Sequence, residues 1–508
     1  MRRNHCSGGH GRKPALQLPA MSRLRSHIAL ALLTLGLLGG CKVTEPEPPR
    51  VSASVPAAFG PAAAADSTSI ADKPWREFFN DRQLVGLIDT ALQNNLDLQI
   101  AVQRVEQARA VLIGARGALL PSVNGVAAAG VDRWGDYTLN GVGNYDTNLS
   151  PNIDRQQRIP TPVTPDFFLG LRSSWEIDVW GKLRQRRRAA ATRLLATDQG
   201  RRVVVTSLVA QVASLYYELL ALDGELDVLA RNADYQQRAL EIIQVQKRAG
   251  RATELAVQQF AAQLLRTQGL EQQVRQRIVE RENQLNQLLG RYPQRVARGA
   301  AIRQQALPDT VAAGVPARAL LRRPDVRQAE LELAATHADV SAARAAFLPS
   351  LTITPYVGLN AYSGSLLFRP ESIAFGVLGG LAAPVVNRAP LKADYQRATA
   401  ADREAFFGYQ KALQTGFREV HTNLRGLAHY RRAYALKQQE AASLTRAVEA
   451  ARDLYVANRA NYLEVITAQR SVLDAELEAT QLRRDQFLLL IDLYRALGGG
   501  WEAAPVTP

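Results

Sequence analysis

Apolar residues recur at three- and four-residue steps along 183–247, where Val205, Leu208, Val209, Val212, Leu215, Tyr216, Leu219, Leu222, Leu226 and Leu229 form one stripe. The other faces carry Arg, Gln, Glu and Asp, so the spacing predicts a long amphipathic helix with a seam for a neighbour and a wet side. Its 65 residues would span about 98 Å at 1.5 Å per residue. A second helical pattern, 253–290, follows a turn at 248–252. The same hairpin returns at 391–455 and 459–498: a slide of 208 positions lays Gly250 on Asn458, Arg251 on Arg459, Leu255 on Leu463, Val257 on Val465 and Gly290 on Gly498. One unit is used twice.

Each long hairpin is preceded by a shorter helical pattern. The first, 96–119, stops at Leu120-Pro121, and the second, 325–347, stops at Leu348-Pro349, an offset of 228. Proline ends both, because it lacks the backbone N–H and its ring clashes with the preceding turn. The first short helix and the second arm of the hairpin (24 and 38 residues) together nearly match the long helix, which predicts that they stack end to end along it.

Between short and long helices the period changes to two. Phe167, Leu169, Leu171, Ser173, Trp175, Ile177 and Val179 alternate with Phe168, Gly170, Arg172, Ser174, Glu176, Asp178 and Trp180, a strand with one apolar and one mainly polar face. Weaker alternation marks strands at 122–131, 351–360 and 373–383, and Asn140-Gly141 signals a turn in the loop 134–165. Strands of this length suit a tilted membrane crossing. Four strands cannot close a barrel, and an open edge is not tolerated in hydrocarbon, so in that reading several chains share one barrel. The pattern alone also admits two soluble hairpins packed on the helices.

Targeting signals change the picture further. A basic segment at 21–27 precedes an apolar run at 28–38 and Leu38-Gly39-Gly40-Cys41, which reads as a signal peptide over 1–40 with its start expected at Met21. The Pro-, Ala- and Glu-containing stretch 41–74 reads as a tether, followed by a first repeat over 75–300, a second over 301–500 and a tail at 501–508. Removing 1–40 lowers the net charge from +15 to +9, so much of the basicity is targeting sequence. Cys6 and Cys41 are the only cysteines, so no disulfide staples the mature chain. His337, His421 and His429 lie outside any metal-ligand spacing, Gly181-Lys182 is followed by Leu rather than Ser or Thr, and no nucleophile is paired with a base. The chain is therefore expected to be no enzyme and to carry no metal.

Cys41 after small residues, the paired Ala-Arg-x-Ala-x-Leu-Pro-Ser segments at 115–122 and 343–350, Trp175-Glu-Ile-Asp-Val-Trp-Gly-Lys, Arg323-Pro-Asp-Val and Asn461-Tyr-Leu-Glu-Val-Ile-Thr-Ala-Gln-Arg-Ser resemble the outer-membrane efflux proteins of the TolC and OprM type, over essentially the whole mature chain. The resemblance implies an α+β membrane protein: a trimeric twelve-stranded outer-membrane β-barrel, four strands per chain, continued by a long α-helical barrel. It implies diacylglycerol and palmitate on Cys41, a periplasmic adaptor and a proton-driven inner-membrane pump as partners, and contact with lipid but not with nucleic acid. The helical turns then form the periplasmic gate and adaptor contact, which assigns Gly250, Arg251, Thr253, Glu254 and Leu255 in one repeat and Asn458, Arg459, Tyr462, Leu463 and Thr467 in the other. Thr467 stands where relatives often carry an acidic residue, and Leu463 is expected to supply a hydrophobic constriction. Trp175, Trp180, Arg184, Arg186, Arg187 and Arg188 are expected at the periplasmic lipid interface, a nucleic-acid patch being the competing reading of the arginines. The alternative function is a periplasmic adaptor lipoprotein, which would share a helical hairpin but lack four amphipathic strands and the duplication.

Overall fold

The computed structural model describes residues 56, 58–59, 69–308, 311–457 and 459–501. The leader, Cys41 and Asn458 lie outside them. Short helices α1 (Trp75–Phe78) and α2 (Arg82–Asn94) lead into α3 (Leu96–Gly117) and strand β1 (Ser122–Arg133), followed by α4 (Leu139–Asn148) and β2 (Val163–Ile177). The first hairpin is α5 (Lys182–Arg248) and α6 (Glu254–Leu288). The second repeat follows as α7 (Pro316–Arg322), α8 (Pro324–Ala345), β3 (Ser350–Ala361), β4 (Ile373–Ala382), α9 (Ala389–Val456) and α10 (Tyr462–Ala496).

Three expectations need correction. Asn140-Gly141 is not a turn: Thr138 Oγ1 accepts the Gly141 N–H at 3.1 Å and caps α4, and a Cβ on Gly141 would lie 2.2 Å from the Gly135 carbonyl. The alternating segment ends at Ile177, so Val179 and Trp180 lie beyond the strand, whose lost residues are regained at its other end from Val163. The last helix starts at Tyr462 rather than Arg459. Asn461 caps it, its Oδ1 accepting Leu463 N at 2.9 Å and Glu464 N at 3.2 Å. Asn461 falls 208 positions after Thr253, which caps α6 by accepting Ala256 N at 3.2 Å, so the caps obey the duplication more closely than the expected boundary did.

The sheet is antiparallel in the order β1-β2-β3-β4, and the central pairing of β2 with β3 joins the repeats. Its register sets Leu169 opposite Ala127 and Leu359, Leu171 opposite Gly125 and Val357, and Leu359 opposite Ile373. One face is therefore apolar across all four strands. Leu169, Leu171, Val357, Ile373, Phe375, Val377 and Leu381 on it are exposed in the single chain.

The short helices do stack end to end. Asn95 caps α3 by accepting Leu98 N at 2.9 Å, and its Nδ2 donates to the Leu288 carbonyl at the end of α6 at 3.0 Å. In the second repeat Arg323, offset from Asn95 by 228, precedes α8, and its Nη1 donates to the Ala496 carbonyl at 2.8 Å, offset from Leu288 by 208. Two side chains of different chemistry make the same joint. Arg323 is 3% exposed and its Nη2 also reaches Asp325 Oδ2 at 2.7 Å and Glu419 Oε2 at 2.9 Å.

The core sits at mid-height, where Val212, Tyr216 and Leu219 of α5 pack against Leu84 and Ile88 of α2, Leu285 of α6 and Phe487 and Ile491 of α10. Tyr216 Oη donates to Asp81 Oδ2 at 2.7 Å and accepts the Gly299 N–H at 2.8 Å, which fastens the connecting segment to the helices. In the expected tether, Phe59 is buried against Phe417 and its carbonyl accepts from His421 Nδ1. The long helices differ sharply. α5 buries a seam from Leu183 to Ile243, whereas α9, of nearly equal length, buries only Gly416, Val420 and Leu427 among its described residues.

Burial pushes the Asp325 carboxyl up, but the hydrogen bonds and charge of Arg323 and the Val326 N–H outweigh it and hold the group below the usual carboxylate range. Arg323→Ala strands two carboxylates and a helix-end carbonyl, so thermal unfolding at neutral pH should show a loss of about 3–5 kcal/mol. In the native chain a depressed carboxylate stabilises above its unfolded pKa of about 4, and that contribution should disappear as pH falls through the lowered value, giving a Tm that declines on the acid side and a weaker decline in the variant.

Candidate functional site

The two helical turns and the strand-to-helix junctions hold the residues singled out by the sequence. At the first turn, Gly250 adopts φ +72°, a backbone that L side chains rarely take, and no atom crowds its Cβ direction, so glycine is favoured there by conformation alone. Gly250 N donates to Lys247 O at 3.0 Å and Arg251 N to Gln246 O at 2.8 Å, closing the end of α5. Glu254 accepts from Lys247 Nζ across the turn and from Gln258 Nε2 at 2.6 Å, and the hydrogen bond from Lys247 chiefly holds its carboxyl below the ordinary range. At the second turn Arg459 N donates to Leu454 O at 2.8 Å. Arg251, Arg459 and Thr467 are exposed.

Leu255 and Leu463, equivalent under the 208-residue slide, are 60% and 53% exposed at the start of their helices. Thr467 lies one helical turn beyond Leu463. Behind these residues Leu240, Ile243, Ala256, Val257 and Phe260 form a small core, against which Tyr455, Tyr462 and Ile466 of the second hairpin pack. Tyr455 Oη donates to Gln246 Oε1 at 2.6 Å, and burial raises the Tyr455 pKa. Sequence reasoning missed Tyr455, Gln246 and Asn461. Tyr455 and Gln246 occupy non-equivalent positions of the two repeats, so the duplication gives no hint that they meet.

At the other end, each indole clips a helix-to-strand transition. Trp175 Nε1 donates to the Leu119 carbonyl at 3.0 Å just before β1, and Trp180 Nε1 to the Pro349 carbonyl at 2.6 Å just before β3. Gly181, at the N-cap of α5 with φ +80°, has no side chain to cap it. Asp178 substitutes by accepting Leu183 N at 3.0 Å and Arg184 N at 2.8 Å, and the Arg184 guanidinium returns to the same carboxylate at 3.2 Å. Arg184 is thus tied locally, whereas Arg186, Arg187 and Arg188 remain exposed along the first turns of α5.

A sheet with one apolar face and two open edges, continued by helices about 100 Å long, defines a membrane channel wall contributed by one of several copies. The chain belongs to the outer membrane efflux protein family, whose model matches residues 87–291 and 315–499. It is 32% identical over 488 residues to the pyoverdine export outer membrane protein OpmQ of Pseudomonas putida, covering 95% of this chain and 99% of that one. It is 28% identical over 479 residues to the probable outer membrane lipoprotein SilC of Salmonella typhimurium, covering 93% and 98%. A crystal structure of CusC superposes with a TM-score of 0.76 at 26% identity, covering 90% of this chain and 99% of that one. The fold class expected from the sequence, a trimeric barrel with four strands per chain and a helical continuation built from two repeats, is that of the family. It places the chain in the bacterial outer membrane with its helices extending into the periplasm.

The Tyr455 to Gln246 bond ties the two hairpins of one chain together beside the turns. In a channel gated at these turns, Tyr455→Phe, which removes a hydrogen bond worth about 1 kcal/mol, should shift the closed-to-open equilibrium by about fivefold per chain. Single-channel recording would read it as more frequent opening, and unchanged gating would exclude a latch at this bond.

Proposed function

We propose that three copies of this chain form the outer-membrane conduit of a tripartite efflux system, passively conducting drugs or other small molecules delivered by an inner-membrane pump. The observation that carries this reading is the continuous apolar face of the four strands joined to a long helix, α9, which packs on α8 and α10 yet buries only three of its described residues in one chain. Closing a ring of copies pairs the strand edges and covers the helix, while the apolar face meets lipid. A periplasmic adaptor would have neither four amphipathic strands nor the duplicated unit.

In this reading the turns at Gly250, Arg251, Thr253, Glu254 and Leu255 and at Asn458, Arg459, Tyr462, Leu463 and Thr467 form the inner mouth and meet the adaptor. Exposed Leu255 and Leu463 suit a constriction that closes by excluding water. Thr467 presents a hydroxyl rather than a carboxylate, so the mouth lacks an acidic ring at that level. The inner-membrane pump, proton-driven as the family resemblance implies, supplies the driving force. Diacylglycerol and palmitate on Cys41 anchor the chain, while Trp175, Trp180 and Arg186 to Arg188 sit at the periplasmic lipid interface. Nucleic acid is no partner.

The purified lipidated protein should give stepwise conductance in planar bilayers, and a protein that inserts as heat-resistant trimers yet never conducts would overturn the reading. Leu463→Ala should widen the mouth and raise single-channel conductance, an unchanged value excluding the constriction. Cys41→Ser should lose labelling by radioactive palmitate while keeping channel activity.

A further inference from the structure

The face of the sheet opposite the apolar one is lined by Gly, Ala, Ser and Thr with few charges, namely Asp132, Asp166, Arg172 and Glu176. Of the carboxylates, Glu176 is neutralised by a cation, while Asp166 is hydrogen-bonded to a neutral amide and keeps its charge, as does Asp132, both nearer the other end of the strands. Glu176 Oε1 meets Lys182 Nζ at 2.5 Å, and Asp166 Oδ1 accepts from Asn360 Nδ2 at 2.8 Å. Arg172 is the one cation on this face of the strands, and its guanidinium lies over the Phe168 ring at 4.5 Å rather than on an acid.

The bed beneath it is built with care for shape. Phe168 is only 5% exposed although its face is the open one, because its ring lies down on the sheet. A Cβ on Gly170 or Gly358 would stand 3.1 and 3.0 Å from Phe168 Cζ, so glycines on two strands make room for it. Tyr356, opposite Arg172 in register, meets Phe168 edge-on at 6.2 Å and lies on Gly376, where a Cβ would come within 2.6 Å of its ring. A guanidinium stacked on a ring keeps its full charge and its in-plane N–H fork, the geometry that grips oxyanions.

We infer that Arg172 is a selectivity-determining residue, three copies forming a cationic belt inside the barrel that favours solutes carrying carboxylate or other anionic groups. The inference rests on the channel reading above. Twelve strands about 4.8 Å apart and tilted about 40° enclose a ring of roughly 12 Å radius at the backbone. The guanidinium groups project inward from it, to within about one Debye length of the axis at 0.1 M salt. Asn124 faces Arg172 from β1 in register, close enough for an introduced carboxylate to neutralise it in place.

Reversal potentials in planar bilayers under a potassium chloride gradient test this. Arg172→Gln should lower the chloride-to-potassium permeability ratio about twofold, the scale set by three screened unit charges near the axis. Asn124→Asp should lower it similarly, and Arg172→Lys should keep the wild-type ratio. If Arg172→Gln does not form heat-resistant trimers, Asn124→Asp decides alone. Conducting variants with the wild-type ratio overturn the belt and leave the channel standing, whereas wild-type trimers that do not conduct remove the channel reading and the belt with it.

Discussion

The free edge of a β-sheet carries unpaired N–H and C=O groups, and hydrocarbon offers them no partner. One chain leaves β1 and β4 with such edges, and the apolar face of the same strands excludes water as the place to leave them. Closure among copies is the remaining solution, and it dictates what the helices do. Each strand pair is covalently continued by a long helix, so a ring of strands brings the helices side by side as a second ring. The contrast between α5 and α9 follows: α5 finds its seam filled within its own chain, by α2, α6 and α10, while α9, which packs on α8 and α10, buries few of its residues and keeps its remaining faces for neighbours.

The wall is kept straight by the joints at mid-height. A helix broken into two pieces can follow a continuous one only if the break neither bends nor slips. At each break the side chain ahead of the incoming helix bonds the last carbonyl of the outgoing one, Asn95 to Leu288 and Arg323 to Ala496. Gly290 and Gly498 lie just beyond, both at positive φ, and a Cβ on Gly290 would stand 2.4 Å from the Asn94 carbonyl. The arginine version does more than the asparagine one, since it also gathers Asp325 and Glu419.

Much of this was legible in the sequence because it is local or periodic. The seam from Val205 to Leu229, the proline stops at Pro121 and Pro349, the alternation from Phe167 to Ile177 and the doubled hairpin each express one spacing rule. The misreadings are places where a side chain overrides a local rule. Thr138 turns an Asn-Gly pair into a helix start, Asn461 moves a helix start past Arg459, and Asp178, read as part of the strand, leaves it to supply the cap that Gly181 cannot. What no spacing could reveal is contact between unlike positions, as with Tyr455 and Gln246 or Arg172 and Phe168 against Tyr356. These depend on which helices and strands become neighbours.

The two turns of one chain are related by duplication but not identical. Gly250 and Lys247 with Glu254 shape the first, Asn461 and Tyr462 the second. Repeated three times around an axis, they give six tips of two alternating kinds, so in the proposed conduit the rim they form has true threefold and only approximate sixfold symmetry. A partner that engages all six tips with identical subunits must accept two inequivalent seats, and one that reads the difference is limited to three.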